Sequence, residues 1–151
     1  MQGAEIVRRV AGRVLVLDSE GQVLLQQFFD PARPEQLYWI TIGGGIDAGE
    51  SVAQAAAREL WEEAGIRASA ADLGSPVWRR EAEFSFDGVR YRQQEEYFVL
   101  QVGDVQVSLD GLEEIERQIV TGYGWWSAEE IEASDEVFLP PELPDLLRRL
   151  S

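Results

Sequence analysis

The segment between Gly45 and Gly65 constrains the fold most, because it carries the strongest helix signal in the chain. Ser51 and Gln54 fit the S-x-x-Q capping box, in which two side chains satisfy free backbone N–H groups at the start of a helix. The alanine-rich run that follows, up to Ala64, has high helix propensity. Gly65 suits the position after the last turn. The sequence therefore predicts a helix between these two glycines.

Apolar and β-prone runs lie on both sides of this helix and predict a sheet. The first run is mostly apolar, which is typical of a strand that is buried on both faces. Asp87 and Gly88 separate two of the later runs and are a hairpin signal. The predicted strands are 7–18, Gln22–Phe28, Tyr38–Ile42, Val77–Phe86, Arg90–Val102 and Gln118–Trp126.

The remaining segments predict loops and two further helices. Two prolines favour a loop over Asp30–Glu35, and the polar stretch Gly103–Glu116 favours another. A second capping box opens a short helix at Ser127, and a C-terminal helix ends near Leu150. Strands on both sides of one strong helix indicate a mixed β-sheet covered by helices, an α+β fold or an α/β/α sandwich. With no repeat and no linker, we expect a single domain over residues 1–151.

The missing residue types exclude several kinds of chemistry. The 151 residues include no Cys and no His, and all 13 basic residues are Arg. Without Cys there is no disulfide or thiolate nucleophile, and without His there is no Ser-His-Asp triad. Without Lys there is no Walker A lysine and no Schiff base. An enzyme of this composition would depend on carboxylates, Arg, hydroxyls, backbone amides and a metal.

The net charge of −15 limits the partners that the chain can bind. A nucleic acid polymer or an anionic membrane needs basic patches, which so acidic a chain does not favour. A phosphate-bearing ligand would be repelled unless a cation intervenes. The apolar runs are too short to span a bilayer, and the first ten residues lack the apolar core of a signal peptide. We therefore expect a cytoplasmic protein that binds neither nucleic acid polymers nor membranes.

Three carboxylates share one face of the predicted central helix. Glu59, Glu62 and Glu63 are spaced i, i+3 and i+4, so that their like charges repel one another. A divalent cation would relieve this repulsion, and oxygen ligands without Cys or His favour Mg²⁺ or Mn²⁺ over zinc. Taken alone, an acidic helix face is more often simply solvated.

The glycine run and the acidic helix together match a longer pattern. The segment 44–66 resembles the Nudix box of the Nudix hydrolases, the MutT-like family, written G-x5-E-x7-R-E-U-x-E-E-x-G-U with U a bulky aliphatic residue. Every specified position is matched. The matching residues are Gly44, Glu50, Arg58, Glu59, Leu60, Glu62, Glu63, Gly65 and Ile66.

This resemblance implies a Nudix-type α/β/α sandwich with a mixed sheet, in which the box folds as loop, helix and loop. It also implies Mg²⁺-dependent hydrolysis of a nucleoside diphosphate linked to another group. Glu59, Glu62 and Glu63 would be metal ligands, and the carbonyl of Gly43 or Gly44 a further one. Arg58 would orient Glu59, and Glu50 would support the loop.

The general base is less constrained, because the family often places it outside the box. Since neighbouring strand residues point to opposite faces, only one of Glu95 and Glu96 can face the site. Glu59 itself is a further alternative. We favour Glu114 among the outside acids. The outside candidates are Glu95, Glu96, Glu113, Glu114 and Glu116.

The substrate and the assembly stay open at this point. Arg90 and Arg92 share one face of a predicted strand and are candidates for binding substrate phosphates, although pairing with the many acids is the more common role. A (d)NTP, a modified nucleotide and a nucleotide sugar all fit the resemblance. The chain could form a homodimer. The alternative function is a Nudix-fold nucleotide-binding or sensor domain with little activity.

Overall fold

The computed structural model describes residues 5–150, so residues 1–4 and 151 of the expected single domain lie outside the description. Three strands are followed by two helices and two further strands, and from residue 114 onward helices and strands alternate. The strands are β1 Ile6–Leu17, β2 Val23–Asp30, β3 Arg33–Gly45, β4 Trp78–Phe86, β5 Val89–Gln101, β6 Val120–Trp126 and β7 Val137–Leu139. The helices are α1 Val52–Ala64, α2 Ala70–Leu73, α3 Glu114–Ile119, α4 Ala128–Ala133 and α5 Leu143–Arg149.

The strands form one mixed sheet in the order β4-β5-β1-β2-β3-β7, with β6 paired to β2. β1 pairs in parallel with β5 along its whole length, and β3 pairs in parallel with β7. The other pairings are antiparallel. β3 changes partner along its length, since residues 37–41 pair with β2 and residues 42–45 with β1. This change of partner leads the glycine run across the centre of the sheet.

Apolar side chains leave the sheet on both faces, which explains why residues 14–17 of β1 are apolar without alternation. Val14 and Val16 lie in the core beneath α1, whereas Leu15 and Leu17 lie in the core beneath α4 and α5. Helices therefore cover both faces, as in a parallel sheet that is buried on each side. The predicted α/β/α sandwich with a mixed sheet is confirmed.

Helix α1 begins and ends as predicted. The Ser51 hydroxyl accepts from the Gln54 N–H, the Gln54 side chain accepts from the Ser51 N–H, and Gly65 closes the helix at φ 70°. Leu60 packs in the core between α1 and the sheet. Gly12 of β1 lets the helix approach closely, because a Cβ there would lie 2.6 Å from the carbonyl oxygen of Val52.

Several segments differ from the prediction, among them the four-residue helix α2, which was not predicted. The loop expected over Asp30–Glu35 is a tight turn, and β3 already begins at Arg33, because Asp30 accepts a hydrogen bond from the Ala32 N–H and closes the hairpin. Helix α3 begins inside the stretch expected to be loop, and the three-residue strand β7 was not predicted. Both are too short for a periodic pattern, so their formation depends on tertiary contacts.

Candidate active site

The glycine run of β3 lies beneath the C-terminal half of α1 and leaves space for its carboxylates. A Cβ built on Gly44 would lie 2.8 Å from the carboxylate carbon of Glu59. The Glu59 side chain thus occupies the volume that any other residue at position 44 would fill. Glycine is required here by the close approach of a functional group, not by backbone conformation.

Three carboxylates converge over this strand. Oxygen atoms of Glu59, Glu63 and Glu116 all lie within 4.8 Å of one another. The first two come from adjacent turns of α1, and Glu116 comes from α3. Segments more than fifty residues apart in the sequence (Glu63 to Glu116) therefore meet in one acidic cluster.

The acids of this cluster are partly or fully removed from water. Glu63 is only 6% exposed, and its Oε1 accepts a hydrogen bond of 2.8 Å from the Gly43 N–H. Burial, and then the charge of Glu59, raise the pKa of Glu63 well above its usual range. Burial also raises the pKa of Glu59, although the Arg58 hydrogen bond partly opposes this. Without a cation, the ionised cluster is unfavourable.

Arg58 connects the loop to the cluster. Its Nε and Nη2 donate to the carboxylate of Glu50 at 2.8 and 3.0 Å, and its Nη1 donates to Glu59 at 2.9 Å. Its Nη2 also donates to the Gly45 carbonyl at 3.1 Å. The hydrogen bond to Glu50 is the main reason that the pKa of Arg58 is raised. The guanidinium thus fixes one carboxylate of the cluster and the loop before α1 together.

A family model for the NUDIX domain matches residues 7–147. The chain belongs to this family. The matched range contains the whole glycine run, α1 and α3, and the resemblance found in the box is confirmed.

Similar proteins agree with this assignment. RNA pyrophosphohydrolase from Cereibacter sphaeroides is 37% identical over 67 residues, which are 43% of this chain and 40% of that protein. The chain spans less than half the length of the curated relatives that it matches. The MutT protein of Methanosarcina mazei superposes over 97% of this chain and 95% of its own, with TM-score 0.62 and 23% identity. A MutT NUDIX hydrolase from Burkholderia pseudomallei covers 95% and 98%, with TM-score 0.66 and 18% identity. These two structures share the fold.

The box residue Glu62 is held differently from its neighbours. Its carboxylate accepts from Arg58 Nη1 at 3.2 Å and is about a quarter exposed. Among residues 5–150, the group of converging acids does not include it. Its role as a metal ligand stays a prediction.

The structure brings Glu116, and not the favoured Glu114, to the cluster. Glu114 is exposed at the start of α3 and lies about 200° around the helix from Glu116. The Glu116 carboxylate turns back over the helix start and accepts from the Glu113 N–H at 3.2 Å. A Glu at the third helical position after Glu113 is a capping signal that the sequence contained. Without the helix boundary, the acid that reaches the cluster could not be chosen.

The two acids on β5 take part in other contacts. Glu95 is buried and accepts from Arg80 Nε at 2.7 Å, while Glu96 accepts from Arg79 Nε at 2.9 Å. As expected, the two side chains leave opposite faces of the sheet. In the range that the structure describes, neither belongs to the acidic cluster.

The predicted phosphate-binding arginines lie on β5 beside β4. Arg92 donates to Glu83 at 3.0 Å and lies 3.6 Å from Glu81. Pairing with acids is the role that the sequence analysis gives as the more common one. Arg90 is exposed and pairs in register with Ser85. Substrate binding by either arginine stays a prediction.

The donor set suits a hard divalent cation. All three converging side chains offer carboxylate oxygens, and the pKa values of the two on α1 are raised chiefly because burial disfavours their charged forms. Oxygen-only donors favour Mg²⁺ or Mn²⁺. Glu59 and Glu63 could therefore hold such an ion beside Glu116, with the Gly44 carbonyl as the further ligand predicted from the box. Within residues 5–150, no helix is long and apolar enough to cross a membrane.

Proposed function

We propose that this chain is a Mg²⁺-dependent pyrophosphohydrolase that cleaves the diphosphate linkage of a nucleoside di- or triphosphate derivative. The observation that carries the proposal is the convergence of Glu59, Glu63 and Glu116 within 4.8 Å, directly above a glycine strand. Such a concentration of buried negative charge is costly to maintain and is typical of a site that binds cations.

Each residue of the site has a distinct task in this proposal. Glu59 and Glu63, with Glu62 and the Gly44 carbonyl predicted beside them, hold Mg²⁺ or Mn²⁺. When bound, the ion supplies charge neutralisation for the diphosphate and lowers the pKa of an attacking water. Arg58 keeps Glu59 in position through its hydrogen bond of 2.9 Å.

We assign the general base to Glu116 in place of Glu114. Its carboxylate oxygen lies beside the two carboxylates of α1, within reach of a water in the cluster, and would accept the proton that the attacking water releases. The hydrogen bond of 3.2 Å from the Glu113 N–H orients this carboxylate at the start of α3.

The substrate class is proposed from the charge of the chain and from the family. A protein of net charge −15 can hold a polyphosphate only where cations neutralise it, which favours small nucleotides over a polymer. A (d)NTP, a modified nucleotide and a nucleotide sugar are the proposed candidates. The Cereibacter relative is named for RNA, so a 5′-triphosphorylated RNA belongs in the same test. A single domain over 1–151, a cytoplasmic location and a homodimer stay predictions.

The experiment is a phosphate-release panel with Mg²⁺ over these substrate classes, using wild type, Glu63→Gln, Glu116→Gln and Glu114→Gln. We expect turnover of one class by wild type and at least a hundredfold loss in Glu63→Gln. Glu116→Gln should lose turnover to a similar degree, whereas the exposed neighbour Glu114→Gln should retain it.

Two results would contradict the proposal. A loss in Glu114→Gln with full activity in Glu116→Gln would reverse the assignment of the base. Folded wild type that binds Mg²⁺ but releases nothing from any substrate would favour the alternative of a nucleotide-binding or sensor domain.

A further inference from the structure

An arginine lies behind the glycine strand, on the face of the sheet opposite α1. Arg13 of β1 is buried, with 9% of its surface exposed. Its Nη1 donates two hydrogen bonds of 3.0 Å, one to the carbonyl of Thr41 and one to the carbonyl of Gly43. A single guanidinium nitrogen thus holds two carbonyls of β3 at the point where the strand reaches the active site.

Gly43 is held from both faces of the sheet. Its carbonyl accepts from Arg13, while its N–H donates to Glu63 at 2.8 Å on the other face. These two groups belong to the peptide planes on either side of the Gly43 Cα, so both planes are fixed. No residue other than glycine fits at position 43, because a Cβ there would lie 2.2 Å from the Gly12 carbonyl oxygen.

The charge of Arg13 is balanced by a carboxylate on the same face of the sheet. Its Nε lies 3.8 Å from Oε2 of Glu95. Glu95 in turn accepts from Arg80, from Gln93 at 2.6 Å and from the Tyr97 hydroxyl at 2.8 Å. This anchored carboxylate leaves the Arg13 guanidinium few alternative positions.

Stability alone does not account for a buried arginine at this position. Replacing a buried ion pair by apolar side chains is often neutral or stabilising, and the next four residues of β1 are all apolar. The Arg13 Nε also has no hydrogen-bond partner among the described residues, which adds a desolvation cost. Two directed hydrogen bonds to β3 are what the arginine provides and an apolar residue could not.

We propose that Arg13 is a positioning residue that acts on the metal site from the far side of the sheet. Arg13 holds the carbonyls of Thr41 and Gly43. It thereby sets the direction of the Gly43 N–H that holds Glu63 and the position of the peptide group between Gly43 and Gly44. This inference rests on the proposed function, since it assumes that Glu63 and its neighbours bind a divalent cation.

The test is Mn²⁺ binding to metal-free protein, followed by electron paramagnetic resonance, together with kcat and KM in Mg²⁺. The variants are Arg13→Met, Arg13→Lys and the control Arg80→Met. Arg80 also contacts Glu95, but its side chain donates hydrogen bonds to Glu95 and Glu142 and to no group of β3 among the described residues. All three variants are checked for folding by circular dichroism and thermal unfolding.

We expect Arg13→Met to weaken Mn²⁺ binding and to lower kcat by roughly 10–100-fold, the usual effect of losing a group that orients a metal ligand. The KM for the nucleotide should change much less. Arg13→Lys should restore part of the affinity, because an ammonium can still donate to one of the two carbonyls. Arg80→Met should bind Mn²⁺ as wild type does. If Arg13→Met fails to fold, the double variant Arg13→Met with Glu95→Gln carries the same expectation, since it also removes the buried carboxylate charge that Arg13 partly balances.

The outcomes separate the two proposals. Equal Mn²⁺ affinity in wild type and folded Arg13→Met would overturn the positioning role and leave the hydrolase proposal intact. Equal weakening of Mn²⁺ binding in Arg13→Met and Arg80→Met would also overturn it, because the cause would then be a general loosening of the packing around Glu95. Failure of wild type itself to bind Mn²⁺ would refute the proposed function directly.

Discussion

At the scale of single residues, the active site depends on glycines that lack a side chain as much as on the acidic side chains themselves. Gly44 provides the space that Glu59 fills, and Gly43 provides backbone groups to both faces of the sheet. Because the role of each glycine is steric and local, neighbouring glycines can serve as controls for one another.

Alanine at two adjacent glycines should have unequal effects on the kinetics, large at Gly44 and small at Gly45. Gly44→Ala places a Cβ 2.8 Å from the Glu59 carboxylate carbon and should displace it, lowering kcat/KM at least tenfold and raising the Mg²⁺ needed for half-maximal rate. In Gly45→Ala the Cβ meets only the end of the Arg9 side chain, at 2.9 Å, which can move away. Steady-state kinetics over a Mg²⁺ series checks this. Similar kinetics for the two variants would show that Glu59 does not depend on this space.

Neutralising Glu63 should stabilise the metal-free protein while removing activity. A folded-state pKa above the unfolded value means that the ionised group destabilises the fold at neutral pH, and this cost begins as the pH rises above the unfolded pKa. The Gln oxygen can still accept from Gly43, so Glu63→Gln should have the higher Tm in EDTA; about 1 kcal/mol corresponds to roughly 2–4 °C. Added Mg²⁺ should raise the Tm of wild type only. A lower Tm for the variant in EDTA would contradict this account.

Sequence reasoning located the α1 side of the site but not all of its chemistry. Helical spacing grouped Glu59, Glu62 and Glu63, because periodicity fixes which residues share a face, and the resemblance to the Nudix box supplied the other positions. Glu116 was one of five outside candidates and was not the preferred one. Its selection depends on where α3 begins, a boundary set by packing of a six-residue helix.

At the scale of elements, length and periodicity decide what a sequence reveals. β1, β4, β5 and α1 were predicted nearly to their ends, since each is long and α1 is marked by a capping box and a terminal glycine. The length of β3 was underestimated, because the strand Arg33–Gly45 pairs with different partners along its length. β7 forms only by pairing with β3, so its three residues carry no independent signal.

The ion pairs of Glu95 with Arg13 and Arg80, which connect β5 to β1 and β4, should affect the acid unfolding of the protein. Arg13 and Arg80 hold the pKa of Glu95 below its usual range, although its burial opposes them. The stabilisation is therefore fully present above the unfolded pKa of about 4.5 and is lost as the pH falls through the folded value. Hydrogen bonds to a charged group of this kind contribute about 1.5–3 kcal/mol.

Urea unfolding of wild type and Glu95→Gln across pH 3–7 measures this contribution. We expect the free energy of unfolding to be lower in the variant at pH 7 and the two curves to converge as the pH falls below about 4.5. A difference that stays constant over the whole range would mean that the charge of Glu95 does not contribute.

At the scale of the whole molecule, the fold concentrates negative charge where a polyanionic substrate has to bind. The net charge of −15 and the acidic cluster of Glu59, Glu63 and Glu116 both oppose binding of a phosphate ligand, and a divalent cation at the cluster would reduce this repulsion locally. The sandwich brings α1 and α3 together over the centre of the sheet, which no local feature of either segment could specify. Metal dependence is thus the central claim of the account.

The most direct test is the rate of phosphate release from the best nucleotide substrate as Mg²⁺ is titrated from zero, for wild type and Glu59→Gln. The account predicts no turnover in EDTA, a saturable rise with Mg²⁺ in wild type, and a rate at least a hundredfold lower in the variant at every concentration. Full turnover by wild type in EDTA, or a normal Mg²⁺ response in Glu59→Gln, would contradict it.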